Sequence, residues 1–147
     1  MTFDLPDEHA TAALGAAIAR ALKPGEAVCL SGPLGAGKST LARGLVRALT
    51  GPHEDVPSPT FTIVQFYEGA AFPVAHFDLY RLARAEEAYE IGLDEALEDG
   101  AAVIEWPQRL EGRLPPDRLD IEIAMAGEAR QARVVAHGAW KGRPVAD

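Results

Sequence analysis

Gly32-Pro33-Leu34-Gly35-Ala36-Gly37-Lys38-Ser39-Thr40 constrains this chain more than any other segment, because it meets every position of the pattern G-x-x-x-x-G-K-[ST]. Its flanks are those such a loop needs. Ala27-Val28-Cys29-Leu30 ahead of it is a short apolar run that reads as a buried strand. Behind it, Leu41, Leu45, Val46 and Leu49 recur at the spacing of a helix face. Strand, glycine turn and helix start together make a phosphate cradle, since glycine lets the backbone curl its N–H groups inward and the helix end adds positive potential. Lys38 is expected to reach the β- and γ-phosphates of a nucleotide, and the Ser39 hydroxyl to complete the shell of Mg²⁺.

The other 138 positions are read around that loop. A chain of 147 residues fits one domain with a real core, expected to span 1–138, with 139–147 either a loose C-terminal tail throughout or one from which Trp140 packs back on the body. The net charge is −8 and no block of consecutive Lys or Arg occurs, so strong direct binding of RNA or DNA is not expected. The single cysteine, Cys29, allows neither an internal disulfide nor a cysteine metal cluster and suits a small buried hydrophobe. The N-terminal stretch has the form of neither a signal peptide nor a membrane span, so cytoplasmic residence is the expectation.

Along the chain, Pro6-Asp7-Glu8 opens a helix with a stripe at Leu14, Ile18, Ala21 and Leu22, stopped by Lys23-Pro24-Gly25. A proline-dense loop runs over 50–59. Thr60 to Tyr67 reads as a strand and Phe72 to Phe77 as its hairpin partner. Two short helical pieces lie between Arg84 and Leu97, divided at Gly92, and Ala101 to Ile104 has the profile of a central strand. Alternation at Leu119, Ile121, Ile123 and Met125, a turn at Gly127 and a return over Ala129–Ala136 predict a C-terminal β-hairpin. The fold expected is α/β: a three-layer domain of the P-loop NTPase kind with a mixed central sheet, its chemistry at the carboxyl ends of the parallel strands.

Mg²⁺ beside phosphates usually takes a carboxylate, and such an acid ends an apolar strand. Glu105 follows Ala101–Ile104 and Asp78 follows Val74–Phe77, and both strands are expected to abut the cradle strand. Glu105, on the more apolar strand, is the preferred metal-side acid, with Asp78 holding a metal-bound water or orienting the attacking one. Thr60 ends a switch-like loop; its hydroxyl serves either the γ-phosphate and Mg²⁺ or only the start of a strand. Trp106 either covers the nucleotide, anchors a partner or fills core. Arg81, Arg84, Arg109 and Arg113 lie near the expected site face without a spacing that singles one out. His9, His53, His76 and His137 show no metal-ligand spacing.

The segments LPDEHAT at 5–11, GPLGAGKST at 32–40, VPSPTFTIV at 56–64, HFDLYRL at 76–82, IGLDE at 91–95 and IEWPQRL at 104–110 together resemble the TsaE (YjeE) family of bacterial P-loop ATPases. The resemblance implies a role in forming threonylcarbamoyladenosine on tRNA, at the adenosine next to the anticodon. It implies work with TsaB and TsaD proteins that hold the tRNA, which this chain then meets only indirectly. It further implies that Gly32, Gly35, Ala36, Gly37, Lys38, Ser39 and Thr40 bind ATP, that Ser39 and Glu105 contact Mg²⁺, and that Lys38, Thr60, Asp78 and Glu105 carry hydrolysis. Glu8 and His9, with Thr11, would lie near the adenine. Pro33 and Ser39 depart from the family's frequent acid and threonine; Ser39 keeps the hydroxyl, whereas Pro33 lacks an N–H. Two other readings stay open: a small-molecule kinase, against which the proline-rich loop and hairpin after Glu105 speak, and a non-catalytic nucleotide-dependent adaptor.

Overall fold

Ala27–Leu30 is buried throughout, and a strand apolar on both faces needs cover on both sides. The computed structural model, which describes residues 1–59 and 62–145, supplies that cover with two helical layers around one sheet. In chain order the strands are β1 (Thr2–Leu5), β2 (Ala27–Ser31), β3 (Val64–Glu68), β4 (Pro73–Asp78), β5 (Ala101–Glu105), β6 (Arg118–Ala126) and β7 (Ala129–Ala136). The helices are α1 (Glu8–Ala21), α2 (Lys38–Thr50), α3 (Glu86–Glu90) and α4 (Leu93–Asp99), with short 3₁₀ turns at Pro107–Leu110 and Gly138–Trp140. The sheet runs β1-β7-β6-β2-β5-β4-β3. Its centre, β6-β2-β5-β4, is parallel; β1, β7 and β3 join antiparallel. The mixed three-layer α/β arrangement expected from the sequence is the one found.

Alternation along β2 divides the core. Val28 and Leu30 pack with Leu14, Ile18, Leu41 and Leu45 of α1 and α2, while Ala27 and Cys29 pack with Phe77, Leu79, Leu93 and Leu110 on the other face. Asp7 caps α1 by accepting from the Ala10 N–H at 2.8 Å. The two long helices approach closely enough that only glycine fits at their crossing. A Cβ on Gly15 would stand 2.2 Å from the Leu41 carbonyl oxygen, and one on Gly44 would stand 2.3 Å from that of Ala12. This contact seats the start of α2, and hence the loop before it, on the sheet.

Three expectations need correction, and one strand was not foreseen. The N-terminal residues form β1, with Thr2 opposite Arg133, although four mixed residues carry no strand signal of their own. The strand expected over 60–67 begins at Val64; Ile63 has a left-handed φ of 69°, which stops the ladder, and Thr60 with Phe61 lies outside the described residues. Only β5 of the two acid-bearing strands abuts β2, because β5 sits between β2 and β4. Residues 139–145 are not loose: Trp140 is fully buried, Val145 is buried, and Arg143 forks onto Glu26 with two contacts of 2.7 Å.

Candidate nucleotide-binding site

The loop between β2 and α2 owes its shape to backbone that other residues would strain. Gly32 takes φ 137° where a Cβ would meet the Ile123 carbonyl oxygen of β6 at 2.3 Å, and Gly37, at φ 110°, begins α2. The Ala36 N–H closes the turn on the Pro33 carbonyl at 3.2 Å. No acid lies in the first turn of α2, so nothing on the helix itself opposes its positive end. Lys38, 5% exposed, donates from Nζ to the Gly32 carbonyl at 2.6 Å and stands 3.6 Å above the Trp106 ring. Burial holds its pKa below the usual lysine value, while Glu105 and Asp78 pull the other way.

Parallel pairing of β4 with β5 sets Asp78 opposite Glu105, so both carboxylates arrive at one edge of the sheet, and both are buried. Asp78 Oδ1 accepts from the Tyr80 N–H at 3.1 Å. Glu105 Oε2 lies 2.6 Å from His76 Nε2, in a pair with side chains 3% and 2% exposed. Trp106 follows in a left-handed conformation, φ 61°, fixed by its N–H to the Leu30 carbonyl at 3.2 Å. That turn lays its ring beside Tyr80, centroids 4.9 Å apart, and under the Lys38 ammonium.

These groups open into one cleft of about 450 Å³, of a size for a mononucleotide. Gly35, Ala36, Gly37, Lys38, Ser39 and Thr40 line it, together with Asp78, Glu105 and Trp106 from the ends of β4 and β5 and with Glu8 and Thr11 from α1. Gly32 is off the wall and serves through its carbonyl. His9, one step round the helix from Glu8, faces a separate groove with Gly44 and Arg47, so the structure does not bring it to the cleft. Thr60 lies outside the described residues, whereas Ser58 just before it lines the cleft. Arg84 and Arg113 pair with Glu90 and Glu86 on the exposed far side, Arg109 stacks over Tyr80, and neither these nor Arg81 line the cleft.

Sequence reasoning missed Asp7, Ser58, Glu128 and Arg130. The last two come from the β6–β7 turn; because β6 runs parallel to β2, that turn closes over the loop's edge of the sheet. No sequence signal pointed to them, since only the parallel pairing of β6 with β2 brings that turn to the loop. Arg130 donates to the carbonyls of Glu128, Ala129 and, at 3.4 Å, Gly35 of the loop itself.

Among the described residues no group of three or more His, Cys, Asp or Glu could hold a metal ion. A Ser hydroxyl with one or two carboxylates beside phosphate oxygens is nonetheless a hard-oxygen donor set, the kind Mg²⁺ takes while keeping its waters. Ser39, Asp78 and Glu105 fit that description. No helix among the described residues is long and apolar enough to cross a membrane.

A glycine loop with a buried lysine, a strand before it, a helix behind it and two acids opposite each other on the next two parallel strands, β5 and β4, define a protein of the P-loop NTPase type. Residues 5–134 match the family model described as threonylcarbamoyl adenosine biosynthesis protein TsaE, and the chain belongs to that family. A Bacillus subtilis protein (strain 168) named tRNA threonylcarbamoyladenosine biosynthesis protein TsaE is 42% identical over 125 residues, covering 84% of this chain and 75% of that one. Its Synechocystis namesake is 44% identical over 116 residues, covering 75% and 72%. The crystal structure of Bacillus subtilis YdiB superposes with a TM-score of 0.78 at 33% identity, over 94% of this chain and 86% of that one.

Proposed function

We propose that this chain binds ATP with Mg²⁺ and hydrolyses it to support tRNA threonylcarbamoyladenosine formation, acting on a TsaB–TsaD complex that carries the tRNA. The observation that bears most weight is convergence: loop, buried Lys38, Ser39, Asp78 and Glu105 share one cleft in a chain of the TsaE family. The loop amides and Lys38 grip the phosphates, Lys38 exchanging the Gly32 carbonyl for phosphate oxygen. Ser39 and Glu105 hold Mg²⁺, which neutralises phosphate charge when bound. Asp78, beside Glu105 in register, orients water toward the terminal phosphate, with the Thr60 hydroxyl assisting. Glu8 lies toward the base; His9 has no part. The acidic surface, net −8, suits a protein that leaves tRNA to its partners, and that role accords with cytoplasmic residence.

ATP turnover measured with and without TsaB and TsaD, alongside tRNA modification, tests this reading. Slow hydrolysis by the chain alone should rise with the partners, completion of such sites being worth ~10³–10⁵ in rate. Calorimetry showing no ATP binding with excess Mg²⁺ would refute nucleotide function. Phosphoryl transfer to a nucleoside in place of phosphate release would establish the kinase reading. Partners that never raise hydrolysis would favour the adaptor.

A further inference from the structure

His76 is buried at 1% exposure on the strand that ends in Asp78, and nothing proposed above uses it. On β4 it stands opposite Val103, so Glu105, two residues further along β5, is its diagonal neighbour on the same face. The imidazole Nε2 lies 2.6 Å from Glu105 Oε2. Its other nitrogen, Nδ1, is buried without a hydrogen-bond partner. Those two facts favour one tautomer over the other. A hydrogen on Nε2 makes the 2.6 Å contact a donation to the carboxylate and leaves a lone pair at Nδ1, a less costly orphan than a buried N–H. His76 therefore donates to the Glu105 carboxylate.

The consequence concerns Lys38. Its ammonium is close enough to feel both Glu105 and Asp78, yet it rests on the Gly32 carbonyl and the Trp106 ring. A buried carboxylate without another donor would turn to the nearest cation. We infer that His76 is a positioning residue that pins Glu105 by Oε2, leaving Oε1 to the metal side of the cleft and Lys38 to the phosphates. The inference deepens the nucleotide reading and rests on it.

The test compares His76→Met, which keeps bulk without a donor, with His76→Gln, whose amide nitrogen reaches the place of Nε2. ATP binding is followed by calorimetry in EDTA and across a Mg²⁺ titration, with circular dichroism verifying the fold. The Met variant should need ~10-fold or more Mg²⁺ for the half-maximal gain in ATP affinity, the scale on which loss of a ligand's supporting hydrogen bond acts, and Gln should restore most of it. The wild-type ring should show the Nε2–H tautomer in its ¹⁵N shifts. A folded Met variant with wild-type Mg²⁺ dependence, Gln and Met variants impaired alike, or an Nδ1–H tautomer would each overturn the inference. If the Met variant does not fold, the Gln variant and the tautomer decide. Wild-type protein that binds no ATP at all would instead sink the nucleotide reading beneath it.

Discussion

Replacing Trp140 by alanine should cost this protein much of its stability while leaving its cleft untouched. The indole is 0% exposed and joins the same core as Val28 and Leu30 of the cradle strand. Truncation removes roughly 150 Å² of apolar contact, worth about 4 kcal/mol at ~25 cal/mol per Å². Trp→Ala changes in cores fall in the same range, ~3–5 kcal/mol. For a chain of this size each kcal/mol lowers Tm by ~2–4 °C, so the midpoint should drop by about 8–16 °C. The turn that carries Trp140 is tied to Asp117, which precedes β6, and so lies at the end of the sheet opposite the phosphate loop. ATP affinity measured well below the melting range should therefore match wild type. Arg143→Ala should act at the same place, since it strips Glu26, a buried acid, of its guanidinium. Because Arg143 also stacks on Trp140 at 4.5 Å, the double variant should cost less than the two singles combined. Scanning calorimetry decides the matter: a Tm loss below ~3 °C for Trp140→Ala would show that the segment is as dispensable as its sequence suggests.

Lys38→Ala should weaken ATP binding at least ~tenfold, the scale of a lost charge-assisted hydrogen bond, read by calorimetry. Glu105→Ala should lower Mg²⁺-dependent turnover by ~10²-fold or more, followed as phosphate release with partners present. Burial, and then the nearby Asp120 charge, push the Cys29 thiol from 9.0 up to about 12. The folded thiol thus keeps a proton that the unfolded chain gives up, so stability is full below pH 9 and falls as pH rises toward 12; Cys29→Ala should flatten that slope in urea melts at stepped pH. Among the described residues five carboxylates, on Asp7, Glu8, Asp78, Glu105 and Glu128, line the cleft against the cations of Lys38 and Arg130. Metal-free ATP should accordingly bind no more weakly in 0.3 M than in 0.02 M KCl, concentrations that span Debye lengths of about 6 to 20 Å, and steep weakening with salt would contradict that balance.

What the sequence disclosed was local chemistry. The phosphate loop, the buried β5 run and the break at Gly92 are each written in consecutive residues, and each lies where periodicity and turn chemistry put it. Pairings between distant strands were not legible. Nothing in Leu119–Met125 says that β6 lies parallel to β2, yet that choice brings Glu128 and Arg130 over the loop. Thr2–Leu5 is a strand only because β7 offers it an edge. Trp140 and Arg143 look like tail until Glu26, 117 positions away from Arg143, is seen beside them. His76 looked idle for the same reason: its partner is 29 residues on, and only the β4–β5 register makes them neighbours.

The same register bears on why this site should work slowly alone. Charge builds on the terminal phosphoryl group as its bond to the leaving oxygen loosens, and positioned cations lower that barrier. Of the two cations among the described residues that line the cleft, Lys38 sits among Gly32, Trp106 and the paired acids. Arg130 stands at the far rim, bound to backbone carbonyls of its own turn and of Gly35. The part of the cleft where Asp78 and Glu105 meet thus has the acids that the proposal assigns to metal and water, and no described arginine to meet the developing charge. Trp106 is held in a left-handed turn in that same part, under the lysine ammonium and against Tyr80, itself partly exposed. A site so furnished would bind and orient before it accelerates, which is the order that the proposed partner-set ATP hydrolysis requires.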